Sequence, residues 1–411
     1  MKKILFSFFL VAFLIGCVDI PQGDFVVTVK NSLAIDRADE MVEIPVSILM
    51  QHMDIYEEEQ FIVLDADSVE VPSQLTYNNN LLFPVSVKAN GTATYKIVVG
   101  EQHEYEPTVY GRHYPERVDD IAWENDLVAF RCYGPALQAS GEKAYGYDVW
   151  VKNTPSLVVE ARYASELNAE TREEISALRK AKKMEEADEL YHSVSYHVDH
   201  GNGLDCYKVG PTLGAGTTAL LDGDEIIYPY CWSKYEIMEN GPLRFTVKLT
   251  YNPFEYKDET LVETRILSLA KGSQLNKTTV VYEGLSGKAS LVAGLAIHPE
   301  NPDAYALEKE KKFVAYQDLT DNIHNGNGEI YIGIVSPSMK DAQLVLLNPK
   351  EAAQRGAVGH ALAYHDIAAG DSISYYWGSA WSKAGWNNME EWTTYLDEYA
   401  QKLENPLEIS F

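Results

Sequence analysis

The chain has 411 residues and carries 61 acidic against 34 basic side chains, a formal charge of −27. Hydrophobic residues make up 46% and charged residues 23%, which excludes a disordered chain and a polytopic membrane protein and leaves one large or two medium domains. Phosphate backbones are bound largely through Lys and Arg, and no basic run is longer than the short cluster of Lys180, Lys182 and Lys183, which argues against nucleic acid as a partner.

Residues 1–17 read MKKILFSFFLVAFLIGC. Lys2 and Lys3 precede an apolar run from Ile4 to Ile15 that is too short to span a bilayer and has the flanks of a signal peptide. The ending Leu14-Ile15-Gly16-Cys17 resembles a bacterial lipobox, which implies lipidation of Cys17 and a mature chain anchored in the outer membrane. Three further cysteines, Cys132, Cys206 and Cys231, match no zinc spacing and read as buried free thiols.

Residues 18–23 form a short tether, and an N-terminal β-sandwich portion is expected over 24–106. There Phe25–Val29, Val42–Ile48, Phe61–Leu64 and Ala93–Val99 are β-branched runs separated by turn signals at Asn78-Asn79-Asn80 and Asn90-Gly91. The remainder, 107–411, reads as the main sandwich. It is interrupted at 165–192 by a stretch rich in Ala, Glu, Lys and Leu without Gly or Pro, a helical insertion whose thin apolar stripe predicts a largely exposed surface. Long alternating strands follow over 245–251, 260–269, 276–282 and 290–298, with two more over 329–347 and a late one over 372–378. Residues 299–325 are looser, and 389–403 read as a C-terminal amphipathic helix.

The stretches GPLRFTVKLTY (241–251), ETRILSLAKGSQLNKTTVVYEG (263–284) and LVAGLAIHP (291–299) resemble the antiparallel supersandwich of galactose-mutarotase-like proteins. PERVDDIAWENDLVAFRCYGPAL (115–137), HVDHGNGLDCYKVGPTLGAG (197–216) and YYWGSAWSKAG (375–385) resemble the Bacteroidetes lipoprotein family known as domain of unknown function 4861. The resemblance spans nearly all of the mature chain. It implies a mainly β supersandwich and a role in glycan utilisation, with an oligosaccharide or polysaccharide as partner. The chain lacks the Asn-His-x-Tyr-Phe-Asn motif of mutarotases, which argues against simple aldose mutarotation.

The densest polar cluster is HVDHGNGLDCY (197–207). His197 and His200 suit proton transfer near neutral pH, Asp199 can fix a tautomer, and Tyr207 stands near as a helper. A metal on His197, Asp199 and His200 is disfavoured because alternating residues point to opposite faces, so no metal or cofactor is expected. A second span, 111–133, gathers Arg112, His113, Arg117, Glu124, Asp126 and Arg131. Guanidinium forks match carboxylates and would suit a uronic acid, with Glu124 as acid or base. His298 is a further candidate ligand contact. Of the aromatic group Tyr375, Tyr376, Trp377, Trp381 and Trp386, Trp377 is expected in the core and Trp381 at the surface as a stacking platform for a sugar ring.

These residues point to a carbohydrate-active enzyme on a sandwich scaffold. Catalysis is assigned to His200, His197, Tyr207 and Glu124, and binding to Arg112, His113, Arg131, His298 and Trp381. Elimination from a uronate and glycoside hydrolysis both fit. The alternatives are a non-catalytic glycan-binding lipoprotein and a sugar epimerase or mutarotase. The acidic balance opposes a polyanionic ligand unless an arginine patch offsets it, and an acid-lined pocket would favour neutral sugars.

Overall fold

The computed structural model describes residues 24–55 and 59–411. The lipobox expected to end at Cys17 and the tether expected over 18–23 lie outside the described residues. Within them the protein is a multi-strand β supersandwich with several helices.

The largest sheet has nine strands. Its order is Trp232–Asn240, Arg244–Tyr251, Glu259–Ala270, Leu275–Glu283, Ser372–Trp381, Ile330–Val335, Phe313–Asp318 and Tyr305–Glu308, with Phe254–Tyr256 paired onto Glu259–Ala270. Every pairing in it is antiparallel. Alternation along Glu259–Ala270 sends Leu261, Glu263, Arg265, Leu267 and Leu269 inward. There the inner face meets a five-stranded sheet of order Glu225–Ile227, Ala215–Asp222, Lys288–Ile297, Gly359–Ala368 and Asp341–Leu346. Val247, Leu249, Leu267, Leu291, Ala293, Leu295, Ala361 and Ala363 interdigitate between the two layers.

A smaller five-stranded sheet closes one side of this core in the order Gly203–Asp205, Asp148–Lys152, Ala129–Cys132, Asp120–Glu124 and Tyr110–Tyr114. Its apolar face (Ile121, Trp123, Phe130, Val149, Val151) joins the core, and helices Val159–Glu166, Ala169–Lys180 and Met184–Val194 connect its strand Asp148–Lys152 to the edge strand Gly203–Asp205. The helical segment therefore starts at Val159, six residues before the alanine-rich text signals it. Val159 and Tyr163, which read as strand residues, instead form the buried face of the first helix, against Trp150 and Tyr196.

Two small sheets built from residues 25–100 pack around Val27, Val29, Ile44, Phe83 and Ile97. The chain's late strand Glu408–Ser410 pairs with Thr28–Lys30 and so ties this body to the rest. Between them runs the helix Met389–Glu404. Its N-cap Asn388 accepts from the Glu391 amide, and Glu390 and Glu391 occupy the positive first turn. Trp392, Leu396 and Ala400 bury onto Phe313, Ala315 and Tyr331. At its far end Arg37 Nη2 donates to the Lys402 and Asn405 carbonyls at 2.8 Å each. No helix among the described residues is long and apolar enough to cross a membrane.

Candidate functional site

The small sheet places two of the sequence candidates on one face. Asp120, Glu124, Arg131, Asp148 and Lys152 project away from the core. Arg131 Nε donates to Asp148 Oδ2 and Nη2 to Asp205 Oδ2, both at 2.7 Å, while Nη1 stands 3.7 Å from Asp120. Tyr133 donates to Asp148 Oδ2 at 3.0 Å. The exposed His197 reaches the edge of this cluster, its Nδ1 3.1 Å from the Asp205 carbonyl oxygen. Burial outweighs the attraction of Arg131 and pushes the Asp120 and Asp148 carboxyls up to about 6. Glu124 lies on the same face in a separate pair. Its Oε2 accepts from Lys152 at 2.6 Å, and its Oε1 takes the Val158 and Val159 amides at 2.8 and 2.7 Å. That carboxylate holds the start of a helix.

The other candidates sit elsewhere. Arg112 clamps Glu160 through two bonds of 2.7 and 2.8 Å and Glu116 through a third of 2.7 Å. His113 is held between Asp119 and the Tyr235 hydroxyl. His200 is exposed, with Nε2 3.0 Å from the Ser195 carbonyl, and Asp199 accepts the Gly201 and Gly203 amides of its own turn. Tyr207 and His298 meet edge to face at 5.7 Å, both buried. Trp381, expected at the surface, is only 2% exposed. It ends a central strand opposite Ile330, and its indole donates to the Asn327 carbonyl at 2.7 Å. Trp377 is fully buried, stacked on Tyr147 at 4.2 Å. The candidates thus fall into Arg131 with His197, Tyr207 with His298, and five separate groups: Arg112, His113, Glu124, His200 and Trp381. Among the described residues no three His, Cys, Asp or Glu side chains converge as metal ligands.

A concave site lies instead beside the strands Arg244–Tyr251, Phe254–Tyr256, Glu259–Ala270 and Leu275–Glu283 of the main sandwich. It is a cavity of about 270 Å³ walled by Tyr228, Tyr230, Tyr251, Phe254 and Tyr282, with Glu255 and Glu263 as its charged lining residues. Glu263 is buried and fixed in place. Arg265 donates to its Oε1, as does Thr218 Oγ1 at 3.1 Å. Arg265 also donates to the Tyr147 hydroxyl at 3.1 Å and lies over the Tyr251 ring at 4.2 Å. The Tyr282 hydroxyl makes no hydrogen bond of ordinary geometry, and burial, with Glu263 nearby, keeps that phenol protonated. At the rim Arg355 covers Tyr228 from 3.8 Å, and Tyr230 is 53% exposed. The arrangement offers ring faces for stacking, hydroxyls for hydrogen bonding and two carboxylates, one rigidly oriented and one open to solvent.

Sequence reasoning singled out none of these residues. A signal was present, because Glu263 and Arg265 fall in a period-two series with Leu261, Leu267 and Leu269, which puts both charges on the buried face.

A protein in glycosyl hydrolase family 38 from Enterococcus faecalis is similar in structure, with a TM-score of 0.48 at 9% identity over 95% of this chain and 48% of its own. An alpha-mannosidase from Enterococcus faecalis V583 gives 0.45 at 8% identity over 94% of this chain and 45% of its own. The chain spans about half the length of these two proteins. In sequence it is 26% identical, over the full length of both, to a protein of Formosa agariphila named "Uncharacterized protein P7". Residues 29–409 match the family described as "Domain of unknown function (DUF4861)", and the chain belongs to that family.

Proposed function

We propose that this protein handles carbohydrate and that the cavity walled by Tyr228, Tyr230, Tyr251, Phe254 and Tyr282 receives a neutral sugar residue. The observation that carries the reading is the combination of aromatic walls with an acid lining. Sugar rings present C–H faces that stack on aromatic rings, and their hydroxyls donate to carboxylates. No Lys or Arg lines the cavity, and Arg112 and Arg131 are each engaged by carboxylates. One guanidinium, Arg355, stands at the rim over Tyr228, but a uronate inside the cavity would face carboxylates rather than a cation, and a neutral ring fits better.

The reaction best supported is hydrolysis. Two carboxylates line one cavity, as a glycoside hydrolase requires, with the Arg265-held Glu263 as base or nucleophile and the solvent-facing Glu255 as acid. Elimination is less well supported, since neither an arginine nor a histidine lines the site. The lipid anchor expected at Cys17 would place this activity at the outer membrane.

Calorimetric titration with a panel of neutral oligosaccharides, read beside reducing-end release, tests the proposal. Tyr230→Ala removes an exposed ring without touching the core and should weaken binding by roughly threefold to tenfold. Glu255→Gln should abolish reducing-end release while preserving affinity. Binding without release in the wild type would leave a glycan-binding protein, and no binding by any neutral member would end the sugar reading of this cavity.

A further inference from the structure

The pair His298–Asp318 has a chemistry that neither the cavity nor the fold employs. His298 is 3% exposed, follows the strand Lys288–Ile297, and sets Nδ1 2.6 Å from Asp318 Oδ2. That carboxylate orients the ring through Nδ1 and leaves Nε2 turned away from it. Nε2 has no hydrogen-bond partner. Two buried hydroxyls, of Tyr207 beside the His298 ring and of Thr320 beside Asp318, also have none. Unpartnered buried polar atoms are costly, and three on and beside one His–Asp pair require an explanation.

The chain that follows Asp318 supplies a second, independent observation. Thr320 has φ +72°, a left-handed conformation that a β-branched residue adopts only under constraint. Residues 321–326 are then exposed without interruption until Asn327 is buried again, its carbonyl held by Trp381. Gly326 and Gly328 both have positive φ, which allows a hinge at that end. Among the described residues one hydrogen bond ties 321–326 to the body, from the Asp321 amide to the Cys206 carbonyl at 2.9 Å, next to Tyr207. An exposed segment held by one bond, between a strained residue and two glycines, opens at small cost.

We propose that His298, Tyr207 and Thr320 form a second ligand site, for a neutral polyhydroxylated molecule, reached when residues 321–326 lift away. In that site His298 Nε2, in the neutral tautomer that Asp318 orients through Nδ1, accepts a hydrogen bond from a ligand hydroxyl, and the Tyr207 and Thr320 hydroxyls hydrogen-bond neighbouring oxygens. The inference stands apart from the aromatic cavity and holds whether or not that cavity takes a sugar.

Diethyl pyrocarbonate, which acylates an unprotonated imidazole nitrogen, reads the opening directly. The buried His365 serves as the internal reference, since its Nε2 is likewise without a partner. In the native full chain His298 should be modified about tenfold or more faster than His365, as peptide mass spectrometry would record. Equal rates would overturn the opening. Glucose, galactose, mannose and glycerol at high concentration form the ligand panel. At least one should slow His298 modification, and the slowing should weaken in Tyr207→Phe, which loses only a hydroxyl. Slowing by none of the four would overturn the site. Tyr230→Ala should leave this protection intact, which separates failure here from failure of the cavity.

Discussion

Glu124 and Arg131 illustrate what a linear text can and cannot carry. The sequence gathers them in one short span, and they lie on adjacent strands, Glu124 opposite Ala129 and Arg131 opposite Ala122. The partners that decide their roles come from other strands: Lys152 for Glu124, and Asp148 and Asp205 for Arg131. No local pattern announces that a lysine 28 positions on will be fully buried beside a carboxylate. Glu124→Gln should therefore act on stability and leave any sugar affinity unchanged. Removing one member of a buried ion pair costs about 3–5 kcal/mol, and here two helix amides also lose a charged acceptor. Urea unfolding should show a lower midpoint with an unaltered slope. A variant with normal stability and lost turnover would return Glu124 to the catalytic role.

At the scale of elements, strands with strong alternation were legible and paired ones without it were not. The runs from 245 to 298 stand out in the sequence because β-branched residues fill them. Tyr305–Glu308 and Phe313–Asp318 escaped, since Lys309–Lys312 between them reads as a charged coil when it is the turn of a hairpin. The helices over the small sheet raise a different point. Where they cover it, Asp120, Asp148 and Asp205 surround Arg131, with Arg117, Tyr133, Tyr163, Tyr196 and His197 around them. Asp120 and Asp148 have folded values of about 6 against an unfolded value of 3.8. The folded state thus holds protons more tightly, and this stabilisation is complete below pH 4 and lost as pH rises through 6. The melting temperature should rise between pH 7.5 and pH 5. Asp148→Asn should show a smaller rise over that interval, because one titrating group is gone. An identical rise in both proteins would mean that Asp148 is ionised throughout.

The whole molecule combines a strongly acidic composition with a cavity whose two lining charges are also negative. Composition made the first legible. The second was hidden, because the cavity is assembled from strand ends and turns separated by up to about sixty residues of chain, each ordinary on its own. Together they discriminate between ligands by field. A charge of −27 repels anions over distances set by the screening length, about 8 Å at physiological ionic strength and longer in dilute salt. A neutral sugar feels none of this, because it carries no charge for the potential to act on. Titration of one neutral oligosaccharide in dilute buffer and again near 0.3 M salt, roughly a halving of the screening length or more, should give the same affinity within error. A uronate-bearing analogue of equal length should bind more weakly than the neutral one in dilute buffer and recover part of the difference as salt rises. If the charged analogue binds more tightly in dilute salt, a cationic patch outside the described cavity governs recognition, and the neutral-sugar assignment gives way.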